Sequence, residues 1–503
     1  MVPRLAFALI AGTLLAAPVR DLRAQALHGL DLPVVDHSLE NGMRFLILPR
    51  PGAPTVSFVV QYTVGGVNEV PGNTGIAHLL EHMLFKGTTT VGTTDPVAER
   101  TLFARMDAIH DSIRSLQAVE PNPDTGGTRA LRDMIKELED SARVYVRSNE
   151  FDRILTQNGA RNLNATTDNE ATTYFVQMPA NRTRLWFVLE SDRMQNPVFR
   201  EFYTERDVVT EERRMRVDTS PGGLLYEAHL SEAFREHPYG VPVVGTMSDL
   251  QSLGRDDAAT YYRRYYGPKN AVVAIVGNVD ADTMVAWAES YFGAIPPGDA
   301  PPPVLAVEPP QRGERRVEVT YAAEPQVRIG WHVGSVFHAD APALTMLSYL
   351  LTGGRTGRLY RRLVLEDRLA TFVSATTLPG TRYPGLYTIQ AVPRAPHTAA
   401  EVEAAVYEEL ARLAAEPPDD VDLERVRRQL AAGDVRRLRS NFGLAFQLAQ
   451  STALFGDWRT TFRLSTRVRD VTPGDISRVV QTHLRPENRT VATLVTAEPE
   501  AGS

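Results

Sequence analysis

Apolar positions along the chain follow two periods, one typical of strands and one typical of helices. Residues 56–64 (VSFVVQYTV) are rich in β-branched and aromatic side chains, and they predict a strand that ends at Gly65 and Gly66. Residues 74–85 predict a helix, and residues 271–276 predict a buried strand. Strands and helices that alternate in this way indicate an α+β fold and exclude a helical bundle.

An internal repeat divides the chain. Residues 268–276 (PKNAVVAIV) resemble residues 486–494 (PENRTVATL), and an amphipathic helix is predicted before each, over 257–266 and 475–484. Residues 64–67 (VGGV) and 333–336 (VGSV) match in the same order. We therefore predict two homologous halves, residues 27–295 and 314–503, joined by a proline-rich linker over 296–313.

The first half carries an insertion. Apolar side chains recur every three or four residues along two stretches, Leu102, Met106, Ile109, Ile113 and Leu116, then Leu131, Ile135, Leu138, Ala142 and Tyr145. Prolines and glycines separate the stretches, which predicts a helical hairpin inserted at about residues 102–157. The pattern leaves open whether the hairpin decorates the surface or forms a contact arm for a partner.

The N-terminus has the pattern of a secretory signal peptide. Arg4 gives it a positive charge, residues 5–17 are apolar or small, and residues 24–26 (AQA) fit a cleavage site. This predicts cleavage after Ala26 and a periplasmic protein, with an uncleaved anchor as the alternative. The apolar run is too short to span a bilayer, and no later stretch predicts a membrane span.

Composition narrows the chemistry. The formal net charge is −7, which argues against a nucleic-acid partner. The chain has no cysteine, which excludes a catalytic thiol, a disulfide framework and a cysteine-ligated metal. Any metal site must therefore use histidine and carboxylate ligands.

The strongest chemical motif is HLLEH, residues 78–82. On a helix, His78 and His82 are one turn apart and project from the same face. Two imidazoles and one carboxylate leave a fourth zinc position for water, and Glu81 lies where it can take a proton from that water. The order H-x-x-E-H is that of the inverzincins. The alternative is a pair of ordinary surface histidines, but the rest of this helix is apolar.

A carboxylate for this site is predicted farther along the chain. Residues 205–213 predict a helix on which one stripe contains Glu205, Val208, Val209 and Glu212. Carboxylates at both ends of an apolar stripe are unusual on a solvated face. Glu212 therefore fits an exposed surface helix less well than its neighbour Glu211 does.

The mature chain resembles a known family over nearly its whole length. Residues 75–88 (GIAHLLEHMLFKGT) are similar to the motif of the M16 metallopeptidases, which include pitrilysin, insulysin and the mitochondrial processing peptidase. Residues 164–166 (NAT), 237–240 (HPYG) and 266–270 (YGPKN) match further motifs of that family. The resemblance implies the short, two-half branch, in which duplicated α/β units with mixed or antiparallel sheets are flanked by helices. It also implies that the two halves close like a clamshell around an extended peptide.

The resemblance further implies which residues form the site. The implied ligands of Zn²⁺ are His78, His82 and Glu212. Glu205 is expected behind these ligands, and Glu81 is expected to be the general base. The strand that pairs with the main chain of the peptide substrate is expected to contain Asn164, Ala165 and Thr166.

The second half departs from the family pattern. Active relatives carry an arginine and, seven residues later, a tyrosine that help to hold the substrate carbonyl, but here these positions are Val364 and Thr371. The helix that aligns with the zinc motif has Leu344, Leu347 and Ser348 in place of His, Glu and His. This implies a zinc-bearing subunit that works with a homologous M16 subunit carrying the Arg/Tyr pair, as a heterodimer, or else as a homodimer.

These observations predict a periplasmic zinc endopeptidase, or its zinc-bearing subunit, that hydrolyses extended peptides or unfolded proteins through a zinc-bound water. One alternative is a zinc-retaining scaffold with weak activity, which the missing Arg/Tyr pair favours. A second alternative is a peptide-binding chaperone. Peptide cleavage that depends on Glu81 would separate the enzyme from both alternatives.

Overall fold

In the computed structural model, which describes residues 32–119 and 126–497, the apolar runs form the strands of two sheets. The predicted signal peptide and its cleavage site after Ala26 lie outside the described residues. The first sheet contains β1 (Val35–Ser38), β2 (Arg44–Pro49), β3 (Thr55–Tyr62), β4 (Arg161–Thr167), β5 (Thr172–Pro179) and β6 (Ala271–Gly277). The second contains β7 (Arg315–Tyr321), β8 (Gln326–Val333), β9 (Ala370–Leu378), β10 (Gly385–Pro393) and β11 (Arg489–Thr496).

Helices flank both sheets. Those of the first half are α1 (Ile76–Met83), α2 (Pro96–Val119), α3 (Gly126–Ala142), α4 (Glu150–Gln157), α5 (Thr183–Gln195), α6 (Phe202–Arg213), α7 (Pro221–Ala233), α8 (Met247–Ser252), α9 (Arg255–Tyr265) and α10 (Ala281–Phe292). Those of the second half are α11 (Ala341–Thr352), α12 (Ala399–Ala415), α13 (Asp420–Arg439), α14 (Asn441–Phe455), α15 (Thr460–Arg467) and α16 (Pro473–His483). Along the described part of the chain, none of these helices combines the length and the apolar character that a bilayer crossing needs.

The two sheets repeat one strand arrangement. The strand orders are β1-β2-β6-β3-β5-β4 and β7-β11-β8-β10-β9. In each, one parallel pair, β2 with β6 or β7 with β11, is followed by three antiparallel pairs. The short turns Pro268–Asn270 and Pro486–Asn488, which hold the sequence repeat, lead into β6 and β11. This confirms the predicted α+β fold with two homologous halves and mixed sheets.

Each half donates a helix to the sheet of the other half. Helix α14 of the second half packs on β3 and β6, and helix α7 of the first half packs on β7, β8 and β11. The rings of Phe175 and Phe442 lie 5.1 Å apart between β5 and α14, and Leu225 of α7 is buried against Leu494 of β11. Because helices cover both faces of the first sheet, every residue of β6 is buried, which explains its continuous apolar run.

The two donated helices also begin in the same way. The Ser220 hydroxyl accepts a hydrogen bond from the Gly223 N–H at 3.3 Å, and the Ser440 hydroxyl accepts one from the Gly443 N–H at 2.7 Å. A side-chain oxygen at this position replaces a missing partner of the first helical turn. The shared cap is a further trace of the internal repeat.

Helices α2 and α3 pack against each other and form the predicted hairpin. The residues of the turn between them, 120–125, lie outside the described part of the chain. The helical period continues less far than the sequence suggests, since α3 ends at Ala142 and Tyr145 belongs to a short 3₁₀ turn. Leu116 is 46% exposed, so it does not belong to the buried seam. The domain boundaries, including the limits of this insertion, stay a prediction.

Candidate metal centre

Helix α1 places two imidazoles side by side. His78 and His82 occupy positions i and i+4 of the helix, and their ring centroids lie 5.0 Å apart. His78 is buried, whereas His82 is half-buried. The remaining residues of α1 explain this orientation, because Ile76, Leu79 and Leu80 are buried in the core of the first half and turn the histidines to the adjoining face.

The beginning of α1 is anchored by a buried carboxylate. Glu69 accepts hydrogen bonds from the backbone N–H groups of Gly75 at 2.8 Å and Ala77 at 2.9 Å. Gly75 has a φ of +87°, and a Cβ there would lie 2.7 Å from the Val244 carbonyl oxygen, so only glycine fits. Burial raises the pKa of Glu69 to about 8. The N-terminus of the histidine helix is thus held in one position.

Helix α6 brings a carboxylate to the two histidines. Glu212 Oε2 lies 3.5 Å from His82 Nε2, and Glu212 Oε1 lies 3.8 Å from His78 Nε2. One ligand atom from each of these three side chains lies within 4.8 Å of the other two. The structure therefore brings together all three residues for which the sequence predicts a role as metal ligands.

The donor set fits a zinc ion. Burial lowers the pKa of His78 to about 3, so its imidazole is neutral and has a free lone pair. His78 Nδ1 is buried without a hydrogen-bond partner in the described part of the chain. Burial alone would lower the pKa of His82, but the carboxylates of Glu205 and Glu212 outweigh it and raise that pKa in the metal-free site. Two imidazole nitrogens and one carboxylate oxygen are a common ligand set of zinc sites that keep an open position. Arg216 pairs with Glu212 at 2.7 Å, but its side chain is 68% exposed and is free to turn into solvent.

Glu205 orients the second imidazole. Its carboxylate lies 2.9 Å from His82 Nδ1 and 2.6 Å from Lys86 Nζ. Burial alone would raise the pKa of Glu205, but these two hydrogen bonds outweigh it and hold the pKa at about 2. With Nδ1 engaged in this way, His82 turns Nε2 toward Glu212. A carboxylate behind a ligand histidine fixes both the tautomer and the orientation of the ring.

Glu81 lies on the same helix as the two histidines. Its side chain is half-buried, and burial raises its pKa from the ordinary value. A raised pKa makes a carboxylate a stronger base than an ordinary glutamate. The role of Glu81 as general base stays a prediction.

The predicted substrate strand lies at a sheet edge. β4 occupies one end of the first sheet, pairs with β5, and packs against α1. Asn164 and Thr166 are exposed, whereas Ala165 is buried. An edge strand presents unpaired backbone groups with which an extended peptide can form hydrogen bonds. The role of this strand in substrate binding stays a prediction.

The second half lacks the matching groups at the aligned positions. Val364 is half-buried against the core of the second half, and the Thr371 hydroxyl donates a hydrogen bond to the Val392 carbonyl oxygen at 3.3 Å. Leu344 and Leu347 of α11 are buried. At these positions the second half has apolar packing side chains and an exposed threonine whose hydroxyl is already engaged.

A further group of potential ligands lies at the start of α11. Donor atoms of His338, Asp340 and His483 lie within 4.8 Å of one another. Asp340 is already paired with His483 and with Arg478, each at 2.8 Å. Burial alone would raise the pKa of Asp340, but hydrogen bonds from Arg478 and His483 outweigh it and hold the pKa at about 2. The group ties the start of α11 to the end of α16.

Two family models match this chain. The model described as insulinase, peptidase family M16, matches residues 44–101 and 143–247, which include both histidines and Glu212. The model described as the peptidase M16 inactive domain matches residues 252–430. The chain belongs to peptidase family M16. The first model leaves residues 102–142 of this M16 chain unmatched, and these residues include most of the hairpin.

Relatives of this M16 chain are named as zinc proteases. The zinc protease PqqE of Helicobacter pylori is 30% identical over 341 residues, which cover 66% of this chain and 64% of that protein. The chain thus spans slightly less than two thirds of that relative. An uncharacterized zinc protease of Rickettsia bellii is 24% identical over 88% of this chain and 90% of its own length.

Solved structures share the M16 fold. A protease from Helicobacter pylori matches with a TM-score of 0.77 and 25% identity, over 92% of this chain and 99% of that one. The periplasmic protease PqqL from Escherichia coli matches with a TM-score of 0.67 and 17% identity, over 92% of this chain and 48% of that one. The predicted two-half clamshell architecture of M16 proteins is confirmed.

Sequence reasoning missed part of this centre and misplaced one residue. Val208 is 48% exposed, whereas Val209 is buried, so the predicted apolar stripe of α6 is only half correct. The role of Glu69 was not predicted, although an acid placed shortly before a glycine that starts a helix is a recognisable signal. The contact of Glu139 with the start of α6 was also missed, because nothing in the sequence links α3 to that helix.

The raised pKa of Glu69 predicts a pH-dependent stability. The folded state binds this proton more tightly than the unfolded state, whose pKa is near 4.5, so the free energy of unfolding falls as the pH rises from 4.5 toward 8. The slope is at most about 1.4 kcal/mol per pH unit. Urea unfolding of the metal-free protein at pH 5 to 8 should show a shallower slope for Glu69→Gln than for wild type. The exposed Glu40→Gln is the control, and equal slopes in all three proteins would contradict the prediction.

Proposed function

We propose that this chain is a zinc-dependent endopeptidase of the H-x-x-E-H type that cleaves extended peptides or unfolded proteins. The observation that carries the proposal is the convergence of His78, His82 and Glu212 beside Glu81. A cluster of this kind on an ordinary surface would leave two imidazoles and two carboxylates partly buried without a ligand. The names of the relatives support the same conclusion.

His78, His82 and Glu212 would hold the metal. When bound, zinc supplies Lewis-acid chemistry, which polarises a peptide carbonyl and lowers the pKa of water. Glu81 accepts a proton from the attacking water and returns it to the leaving amine. Glu205 holds His82 in the tautomer that a ligand requires.

The substrate would lie along β4 as an added strand. The outward-facing backbone groups along Asn164, Ala165 and Thr166 would bind any extended chain, since such hydrogen bonds do not depend on the side chains of the substrate. Unfolded segments satisfy this requirement, whereas a folded protein keeps its backbone groups paired. We therefore propose peptides and unfolded proteins as the substrate class.

The proposed location is the periplasm. The pattern of residues 1–26 fits a signal peptide that is cleaved after Ala26. A structural neighbour, PqqL of Escherichia coli, is described as a periplasmic protease. The absence of cysteine is compatible with an oxidising compartment.

We propose that a homologous subunit completes the site. Val364 has no polar group, and the Thr371 hydroxyl is already engaged with the Val392 carbonyl oxygen. The nearby Arg362 pairs with Glu408 and Asp367, and it therefore has its own partners. A heterodimer with a subunit that carries the Arg/Tyr pair accounts for these substitutions, and a homodimer is the alternative. The same substitutions favour a second candidate function, a scaffold that retains zinc but has weak activity.

The proposed ligand set predicts the metal content of single variants. Wild type should contain one zinc per chain, and His78→Ala, His82→Ala and Glu212→Gln should each lose most of it. Glu205→Gln should weaken zinc binding by roughly 10–100-fold, because His82 loses its hydrogen-bond partner. Elemental analysis after dialysis measures this, with the exposed Glu211→Gln as control. Full zinc occupancy in Glu212→Gln would exclude it as the third ligand.

The proposed general base predicts that binding and catalysis separate. Glu81→Gln keeps the size of the side chain and removes its basicity, so zinc should remain while hydrolysis falls by about 10²–10⁴-fold. A fluorogenic unstructured peptide and elemental analysis of the same preparation measure both quantities. Equal hydrolysis by wild type and Glu81→Gln would mean that this site is not the source of the activity.

The proposed partner predicts weak activity for the chain alone. The double variant Val364→Arg with Thr371→Tyr should raise this activity, since loss of one such donor typically costs about 10²–10³ in rate. Val364→Leu with Thr371→Phe adds comparable bulk without donors and should leave the activity low. The measurement is the rate of peptide hydrolysis by the purified wild type and by each of the two double variants. A fully active wild-type chain would remove the need for a partner.

A further inference from the structure

The inserted hairpin contacts α6 directly and, through Arg200, the segment that follows α1. Its second helix, α3, contacts the start of α6, which bears Glu205 and Glu212. Its first helix, α2, contacts Arg200, which holds the segment that follows α1. On the hairpin side, these contacts are made by Glu139, which the first M16 family model leaves unmatched, and by Glu99, which lies just before the unmatched stretch.

Helix α6 has no cap of its own. Glu201 precedes the helix with a φ of +56°, and its side chain makes no capping hydrogen bond. The first N–H groups of a helix have no partner within it and need an outside acceptor. Such an acceptor must come from elsewhere in the chain.

Glu139 of α3 supplies that acceptor. Its Oε1 accepts hydrogen bonds from the N–H groups of Tyr203 at 3.1 Å and Thr204 at 3.2 Å, and its Oε2 accepts one from Thr204 Oγ1 at 2.8 Å. A carboxylate at this position also complements the positive end of the helix dipole. Glu205 is the next residue in the chain, so the cap fixes the turn that carries it.

A buried ion pair connects α2 to Arg200, which binds the segment that follows α1. Glu99 and Arg200 are each 1% exposed, and their closest atoms are 3.1 Å apart. Arg200 also donates to the carbonyl oxygens of Lys86 at 2.5 Å and Thr88 at 2.8 Å, just beyond the end of α1. The segment behind His82 is thereby tied to the base of the hairpin.

The hairpin is also fastened to the body of the first half. Asp107 of α2 accepts a hydrogen bond from Arg255 Nε of α9 at 3.0 Å, and Arg114 pairs with Asp257 at 3.0 Å. A projecting contact arm would not need anchors on several sides. These contacts instead make the hairpin a fixed support on which α6 rests.

We infer that the hairpin α2–α3 is a scaffold of the metal centre and that Glu139 is a positioning residue for Glu205 and Glu212. The inference rests on the proposed function, because it assigns the hairpin to the metal site proposed there. It resolves the choice that the sequence left open between surface decoration and a partner arm. Loss of the cap would let the first turn of α6 unwind and move Glu205 away from His82.

The experiment uses the full chain with Co²⁺ as the probe metal. Glu139→Ala should weaken Co²⁺ binding about tenfold, as expected for loss of a group that orients ligands. Glu139→Gln keeps an oxygen acceptor and should stay within about threefold of wild type. Glu137→Gln, on the exposed face of the same helix, should bind Co²⁺ as wild type does. Unchanged Co²⁺ affinity in Glu139→Ala would overturn the inference.

Hydrogen exchange of the metal-free protein gives a second readout. The amides at the start of α6 should exchange about tenfold faster in Glu139→Ala, and those of α5 should not change. Equal exchange in α6 would overturn the role of Glu139, whereas a wild-type chain that binds no Co²⁺ would overturn the proposed function. If Glu139→Ala does not fold, Thr204→Val is the substitute, because it removes the hydroxyl that donates to Glu139 Oε2. This variant should weaken Co²⁺ binding and speed exchange at the start of α6 by about threefold each. Unchanged affinity and exchange in that variant would also overturn the inference.

Discussion

The distance between α1 and α6 is the constraint on which the rest of the first half depends. The two helices lie far apart in the sequence, yet His78, His82 and Glu212 must bring their ligand atoms within 4.8 Å of one another. A displacement of about 1 Å is enough to impair such a site. Each of the two helices is held at its N-terminus by an acidic side chain, α1 by Glu69 and α6 by Glu139.

These supports are acidic and buried or half-buried, and the reason is electrostatic. A helix start offers unpaired N–H groups, and the oxygens of an acidic side chain accept hydrogen bonds from them. Burial of a lone carboxylate is costly, so each one accepts several hydrogen bonds. Glu205 follows the same rule, because it is shared by His82 and Lys86. The acidic side chains near the metal centre are therefore part of its framework.

Local periodicity explains what could be predicted from the sequence. The pair His78 and His82 follows from the helical repeat, which fixes residues one turn apart on a common face. Glu212 needed the resemblance to M16 peptidases, because its partners lie on another helix. The exposed Val208 was misplaced because a helical period does not show where a stripe meets solvent. Glu139 and the exchange of α7 and α14 depend on contacts between elements, which no local pattern encodes.

The exchange of helices sets an order of events during synthesis. Helix α14 is among the last elements to leave the ribosome, but it covers the outer face of β3, one of the first strands. Until α14 has been made, the apolar side chains of that face are exposed and can associate with other unfolded chains. The polypeptide therefore cannot complete the covering of its N-terminal sheet before α14 has been made. The final structure of the first half thus forms only when most of the second half is also present.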